Sequence, residues 1–222
     1  MLKKTAEFSG VLNKKIKNSK FKNKHKTNRK YFTRKGKLGF SKIMTMIIKK
    51  SNKSIQNSLN DMQLDINDDC TITNSAYTQA RAKLNYTAFK EFANDTANFF
   101  YQDDEYNKYK GFRILAVDGS VVILPNSDDI KKEFNPTVAK CQVPEFKKEV
   151  VQSRVSCLYD VLNGITLDAS INNKINSDDN DLIAYDERTL AVEHLPYCTK
   201  NDLVVLDRGY PSYEMFVKYA AV

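Results

Sequence analysis

Along the first thirty residues the chain shows almost no apolar periodicity. "VLNKKIKNSKFKNKHKTNRK" is rich in Lys and Asn, which predicts a mobile or partly helical arm over 1–30. From Ser41, a plausible cap, the spacing turns helical: Ile43, Met46 and Ile47, then Ile55, Leu59 and Met62, recur at three- and four-residue steps. A polar connection over 65–73 leads to "NSAYTQARAKL", a second helix capped by Asn74 or Ser75. A third, "NYTAFKEFANDTANFFYQ", stripes Phe89, Phe92, Ala93, Thr96 and Phe99 along one face as core. These segments predict a small helical domain over 31–105, in which residues 74–90 can serve as a helix-turn-helix.

After "DDEYNKYKG" the texture becomes strand-like. "FRILAVDGSVVILPN" predicts a strand around Asp118 with a turn or bulge at Gly119-Ser120, followed by a loop holding Pro136 and Pro144. "VVQSRVSCLYDVLNG" and "ITLDASINN" predict two strands joined by a tight turn at Asn163-Gly164. "NDLIAYDERTLAVEHL" offers Leu182, Ile183, Leu190, Val192 and Leu195 to one side of an amphipathic helix. "LVVL" is a further strand, ending at Asp207, and a helix starts near Ser212. The order strand, hairpin, helix, strand, helix is the first part of a mixed-sheet α/β layout of the ribonuclease-H type over 110–222. The later elements of that layout are not in this sequence, so the sheet domain is expected to be incomplete.

Charge sharpens the division. Residues 1–60 hold eighteen Lys/Arg against one acid, Glu7, while the remaining 162 hold seventeen against twenty-six. A cationic head on an acidic body suits a polyanion such as nucleic acid, although a solvated tail has the same composition. Aromatic residues among the early cations are few (Phe21, Tyr31, Phe32), which argues against single-strand stacking. The apolar runs "IMTMII" and "VVIL" fall short of the ~20 residues of a spanning helix, and the N-terminus has no apolar signal region. The four cysteines, Cys70, Cys141, Cys157 and Cys198, are far apart with no C-x-x-C. They read as buried free thiols of a reducing cytoplasm rather than as zinc ligands or a disulfide framework. With only His25 and His194, a histidine metal site has little support.

Two acids stand out because each interrupts an apolar strand. Asp118 and Asp207 would face one another if the two strands are parallel neighbours, in the crevice at the strand ends. Carboxylates that close repel unless a cation sits between them. Oxygen ligands suit Mg²⁺ or Mn²⁺, which can promote phosphoryl transfer. Plainer readings remain open: Asp118-Gly119 as a simple turn, and Asp207 as the cap of the following helix. Ser120 stands where a D-x-D-x-T phosphatase requires Asp. No Gly-rich phosphate loop, Ser-His-Asp set or H-E-x-x-H motif is present.

"LAVDGS", "LPNSDD", "VSCLYDVLNGITLDASI", "ERTLAVEHL" and "LVVLDRGYPSYEMF", in that order, resemble the DDE transposases of bacterial insertion sequences, of the insertion-sequence-4 type. "YFTRKGKLGFSKIMTMII" and "NSAYTQARAKLNYTAFKEF" are similar to the N-terminal region of that family. The resemblance spans roughly residues 30–222. It implies a ribonuclease-H-like core, Asp118 and Asp207 as the first two catalytic, metal-holding acids, and Mg²⁺ or Mn²⁺ as cofactor. It also implies double-stranded DNA as partner, both terminal inverted repeats and target, with self-association on DNA, and cleavage of element ends followed by strand transfer. Arg208 and Tyr210 match residues flanking the second acid, Arg208 serving either a DNA phosphate or the strand end.

The candidate DNA contacts are Lys14, Lys15, Lys22, Lys24, Arg29, Lys30, Arg34, Arg81, Lys83 and Arg208. The third acid of the family belongs to a later Tyr…Arg…Glu…Lys helix, and Val222 precedes any such segment. Glu187 and Glu193 belong to the previous helix and Glu214 to the following one, so none is assigned that role. The expectation is therefore a truncated transposase inactive by itself. Two alternatives stand beside it: a non-catalytic module that holds element ends in competition with intact transposase, and an unrelated small α/β enzyme.

Overall fold

The computed structural model describes residues 2–34, 36–49, 52–64, 71–134, 136–138, 149–172 and 187–221. The chain divides into two units, Met1–Phe99 and Phe100–Val222. The first is helical, with α1 (Leu2–Lys17), α2 (Ser19–Lys24), α3 (Phe40–Ile48), α4 (Ile55–Leu64), α5 (Asn74–Arg81) and the greater part of α6 (Thr87–Tyr101).

Local chemistry accounts for several of these ends. Asn18 caps α2, its side-chain oxygen accepting from the backbone of Lys20 at 2.8 Å. Thr73 caps α5 through Ala76 at 3.2 Å, one residue before the expected Asn74 or Ser75. The periodic stretch starting near Ser41 is two helices. α3 begins at Phe40, and Gly39 caps it without a side-chain bond.

Two apolar clusters hold this unit. Phe40, Met44 and Ala88 pack with Ile16 and Phe21, while Ile43, Leu59, Ile72, Tyr77 and Ala80 form the second. Residues 1–30 are therefore not simply an arm, because Ile16 and Phe21 are core. Two well-placed apolar residues suffice where no periodic pattern warned of it. The stripe on α6 also shifts: Ala88 and Ala97 are buried, Phe89 and Phe92 are half-buried, and Ala93 is exposed.

The second unit is mixed α/β. Its elements are β1 (Arg113–Ile123), α7 (Asp128–Glu133), β2 (Pro136–Val138), β3 (Glu149–Asp160), β4 (Ile165–Ile171), α8 (Glu187–Glu193), β5 (Asp202–Val205) and α9 (Tyr213–Ala220). A four-stranded mixed sheet runs β4-β3-β1-β5, and β2 adds to the first residues of β3. β1 is antiparallel to β3 and parallel to β5.

β1 passes through Gly119-Ser120 without the expected turn, and its ladder with β3 is continuous from Leu115 to Ile123. The β3–β4 turn is where the sequence placed it. Asp160 accepts from the backbone of Leu162 (3.0 Å) and Asn163 (3.1 Å), and Gly164 closes the turn at φ +71°. Leu115, Val117, Leu158 and Leu167 form the packed face with Ala191 of α8 and Met215 of α9. Among the described residues no helix is long and apolar enough to cross a membrane. Leu182, Ile183, Pro144, Cys70 and Cys141 lie outside the described residues.

Candidate active site

The β1–β5 ladder carries charge at both ends. At its start Arg113 lies opposite Asp202 in the register. The guanidinium donates to both carboxylate oxygens, from Nε at 2.8 Å and from Nη2 at 2.6 Å. Both side chains are under one-tenth exposed. Arg113 also stacks on Tyr101, whose hydroxyl donates to Asp160 at 2.6 Å.

The last pairing of the ladder is Ala116 with Val205. Carried two positions further, the same register sets Asp118 opposite Asp207. Both are exposed, and neither forms an ion pair among the described residues. The backbone N–H of Arg113 donates to Asn201 on the β5 side, so alternation aims the Gly119 N–H to that same edge. β5 has already ended there. The Gly119 N–H instead donates to the Asp118 carboxylate at 2.8 Å, drawing the carboxylate into the gap beyond the strand end. Asp207 is fixed similarly, accepting from the Gly209 N–H at 2.6 Å. The simpler roles are filled otherwise: Asp118 is inside an unbroken strand, and Ser212, not Asp207, caps α9 through Met215 at 3.2 Å.

On the packed face of the sheet, opposite the face that carries Asp118, Glu187 and Tyr210 crowd Gly119. A side chain at Gly119 would meet Glu187 Cγ at 2.9 Å and the Tyr210 hydroxyl at 3.2 Å, so glycine is required by close approach. Glu187 pairs with Arg154 at 3.0 Å. Arg188 donates from Nε and Nη2 to the Gly209 carbonyl at 3.2 and 3.0 Å, tying the start of α8 to the loop after Asp207. Tyr210 is 1% exposed. Burial, with the charges of Glu187, Asp118 and Asp207, pushes its phenol up to about 12. The Cys157 thiol, opposite Asp118 on β3, is raised by burial and then by Asp168 and Asp118.

Sequence reasoning assigned Glu187 to a helix without bringing it against Gly119. The only signal was a glycine inside a strand, a mark of close backbone approach as well as of a bulge. Even so, no group of three or more His, Cys, Asp or Glu among the described residues is arranged to hold a metal ion. Asp118 and Asp207 fit a hydrated Mg²⁺ or Mn²⁺ as a pair, since Mg²⁺ is commonly bound through one or two carboxylates with water filling the other positions.

One arrangement absent from the sequence motifs is built by the fold. His194 bonds Asp168 through Nδ1 at 2.8 Å and the Ser156 hydroxyl through Nε2 at 3.0 Å. It is a Ser-His-Asp set drawn from β3, β4 and the end of α8, which no linear spacing reveals. His194 and Ser156 are fully buried, so no substrate reaches the serine. The set clamps α8 to the sheet.

The candidate DNA contacts separate into groups. Arg29, Lys30, Arg34 and Lys83 line one groove of about 650 Å³ together with Tyr31, and no acid among the described residues lines it. Lys83 lies 5.5 Å over the Tyr31 ring. Lys14, Lys15 and Lys24 line a second groove of about 420 Å³ that also contains Glu91. Here Lys15 pairs with Glu91 and Asp95, and Lys24 with Glu91. Hydrogen bonds from Lys24, then Lys15 and His25, hold Glu91 down at about 2 despite burial. Lys22 and Arg81 line neither groove, and Arg208 is exposed beside Asp207.

Comparison with protein-family models, with curated proteins and with solved structures gives no match.

Proposed function

We propose that this chain belongs to the metal-dependent DNA strand-cleavage and strand-transfer enzymes, as a transposase whose sheet unit is ribonuclease-H-like. The observation that carries this reading is the parallel pairing of β1 with β5, whose register, continued two positions beyond its last pair Ala116–Val205, would bring Asp118 and Asp207 together. Two exposed carboxylates brought together there would offer an oxygen site for a hard divalent cation. Mg²⁺ or Mn²⁺ bound there would supply charge stabilisation for a phosphodiester oxygen. The residues themselves do the rest. Gly119 and Gly209 N–H groups orient the two carboxylates, and Arg188 holds the Asp207 loop in place. Arg208, exposed beside the pair, has the fork geometry for a phosphate.

DNA would be held by the cationic groove of Arg29, Lys30, Arg34 and Lys83. That groove belongs wholly to the helical unit. This favours one second reading, a non-catalytic module that binds element ends.

The test uses the full chain with duplex DNA and Mn²⁺. Duplex binding that falls steeply with salt is expected, and the triple substitution Arg29→Ala, Arg34→Ala, Lys83→Ala should weaken it tenfold or more. Nicking supported by Mn²⁺ and lost in Asp118→Asn and Asp207→Asn, with binding retained, supports the enzyme. Salt-steep binding with no nicking leaves the module. Failure to bind duplex DNA at low salt overturns both.

A further inference from the structure

The cationic groove of the helical unit is lined by more than charge. Leu38 and Ala80 line it too, both belonging to the second apolar cluster. Tyr31 lines it with 36% of its surface exposed. A contact confined to duplex phosphates uses cations alone, since a paired duplex keeps its base faces stacked inside. The groove is also preformed. The Lys30 N–H donates to the Asn28 side chain at 2.9 Å, the Tyr31 N–H to the Asn28 carbonyl at 3.0 Å, and Thr33 Oγ1 to the Lys30 carbonyl at 3.0 Å. The Thr27 N–H donates to the Lys83 carbonyl at 3.0 Å, which ties this turn to the segment after α5. Phe32 takes a positive φ of 56°, rare for a bulky side chain. Its ring packs against both apolar clusters and edge-on to Phe40, with centroids 5.6 Å apart. The strained backbone thus sends Phe32 inward while its neighbour Tyr31 stays in the groove.

We infer that this groove takes one unpaired nucleotide of a DNA strand end, its base against Tyr31 and its phosphates on Arg29, Arg34 and Lys83. This rests on the reading of the groove as the DNA site. A single exposed ring suits a single base, and not the run of stacked bases that the sparse aromatic residues argue against. A groove of about 650 Å³ has the size of a small-ligand pocket. Lys83 lies over the Tyr31 ring at 5.5 Å. A phosphate is the stronger partner for that ammonium, because a charge-assisted hydrogen bond exceeds an exposed cation–π contact. Lys83 would turn to the phosphate and leave the ring face to the base.

The experiment uses the full chain at low salt with a blunt duplex, the same duplex carrying a short 3′ or 5′ overhang, and each overhang made abasic. The abasic form keeps the phosphates and removes the bases. The expected result is about tenfold tighter binding of an overhang than of its abasic counterpart, with a 2-aminopurine in the overhang quenched on binding. Tyr31→Ala should abolish both the preference and the quenching, and leave blunt-duplex binding, which the cations set, unchanged. Tyr31→Phe should keep the preference and the quenching. Equal binding of normal and abasic overhangs at both polarities, or a preference that survives Tyr31→Ala, overturns the inference. Salt-steep binding of the blunt duplex would then still leave the groove as a DNA site. A chain that binds no duplex DNA at low salt overturns the reading of the groove itself.

Discussion

The two ends of the β1–β5 ladder put charges of opposite design on the same pair of strands. Arg113 and Asp202 are complementary, buried and bidentate. Asp118 and Asp207 come five residues later, Asp207 just beyond the end of β5; both are exposed, and neither forms an ion pair among the described residues. The first pair satisfies itself, so it fixes the ladder and asks nothing of the surroundings. The second is left exposed to solvent. Charge that the fold neutralises is architecture, and charge that it leaves exposed stays open to a ligand. The two histidines teach the same distinction. His25, between Thr87 and Glu91, and His194, between Ser156 and Asp168, each join a hydroxyl to a carboxylate. Both are buried fixtures, whatever catalytic set their side chains resemble.

The largest effect is expected at the closed end. Arg113→Ala leaves Asp202 buried without its partner and should cost about 3–5 kcal/mol in urea unfolding, whereas Arg113→Met with Asp202→Leu should recover most of that loss. Equal losses in the single and double variants would break the contrast, because the pair would then matter as packing rather than as matched charge.

A smaller effect tests the same rule in the helical unit, where Glu91 is a carboxylate surrounded by Lys24, Lys15 and His25. Its folded value, about 2, lies below the ordinary 4.5. Its contribution is therefore fully present above about pH 4.5 and is lost as pH falls through about 2. Glu91→Gln should flatten that part of the acid-unfolding curve and leave the neutral region with a constant offset. An unchanged acid limb would remove Glu91 from the set of internally neutralised charges.

Much of the sheet unit could be read from the sequence, because its signals are local. Asn163-Gly164 announces a hairpin, and Ser212 announces a helix. The parallel β1–β5 pairing follows from the order of elements. What escaped the sequence depends on tertiary approach. Gly119 reads equally as a bulge or as a site of close contact, and only the position of Glu187 decides between them. Ser156, Asp168 and His194 are brought together across three elements, with no spacing to mark them. In the helical unit Ile16 and Phe21 were hidden by the lysines around them, since two apolar positions make no period. The cations gave a correct sense of surface charge but not its distribution. Only the fold shows that Lys15 and Lys24 are taken up by Glu91 while Arg29, Lys30, Arg34 and Lys83 share a groove lined by no acid among the described residues.

The central claim, that Asp118 and Asp207 form an unneutralised pair completed by a divalent cation, is tested most directly by thermal unfolding with and without Mn²⁺. Wild type and Asp118→Asn are compared at neutral pH. The account predicts that Mn²⁺ raises the midpoint of the wild type in a saturable way. Asp118→Asn should unfold slightly above the metal-free wild type, relieved of repulsion, and should not respond to Mn²⁺. A wild type indifferent to Mn²⁺, or an equal rise in both proteins, would contradict it.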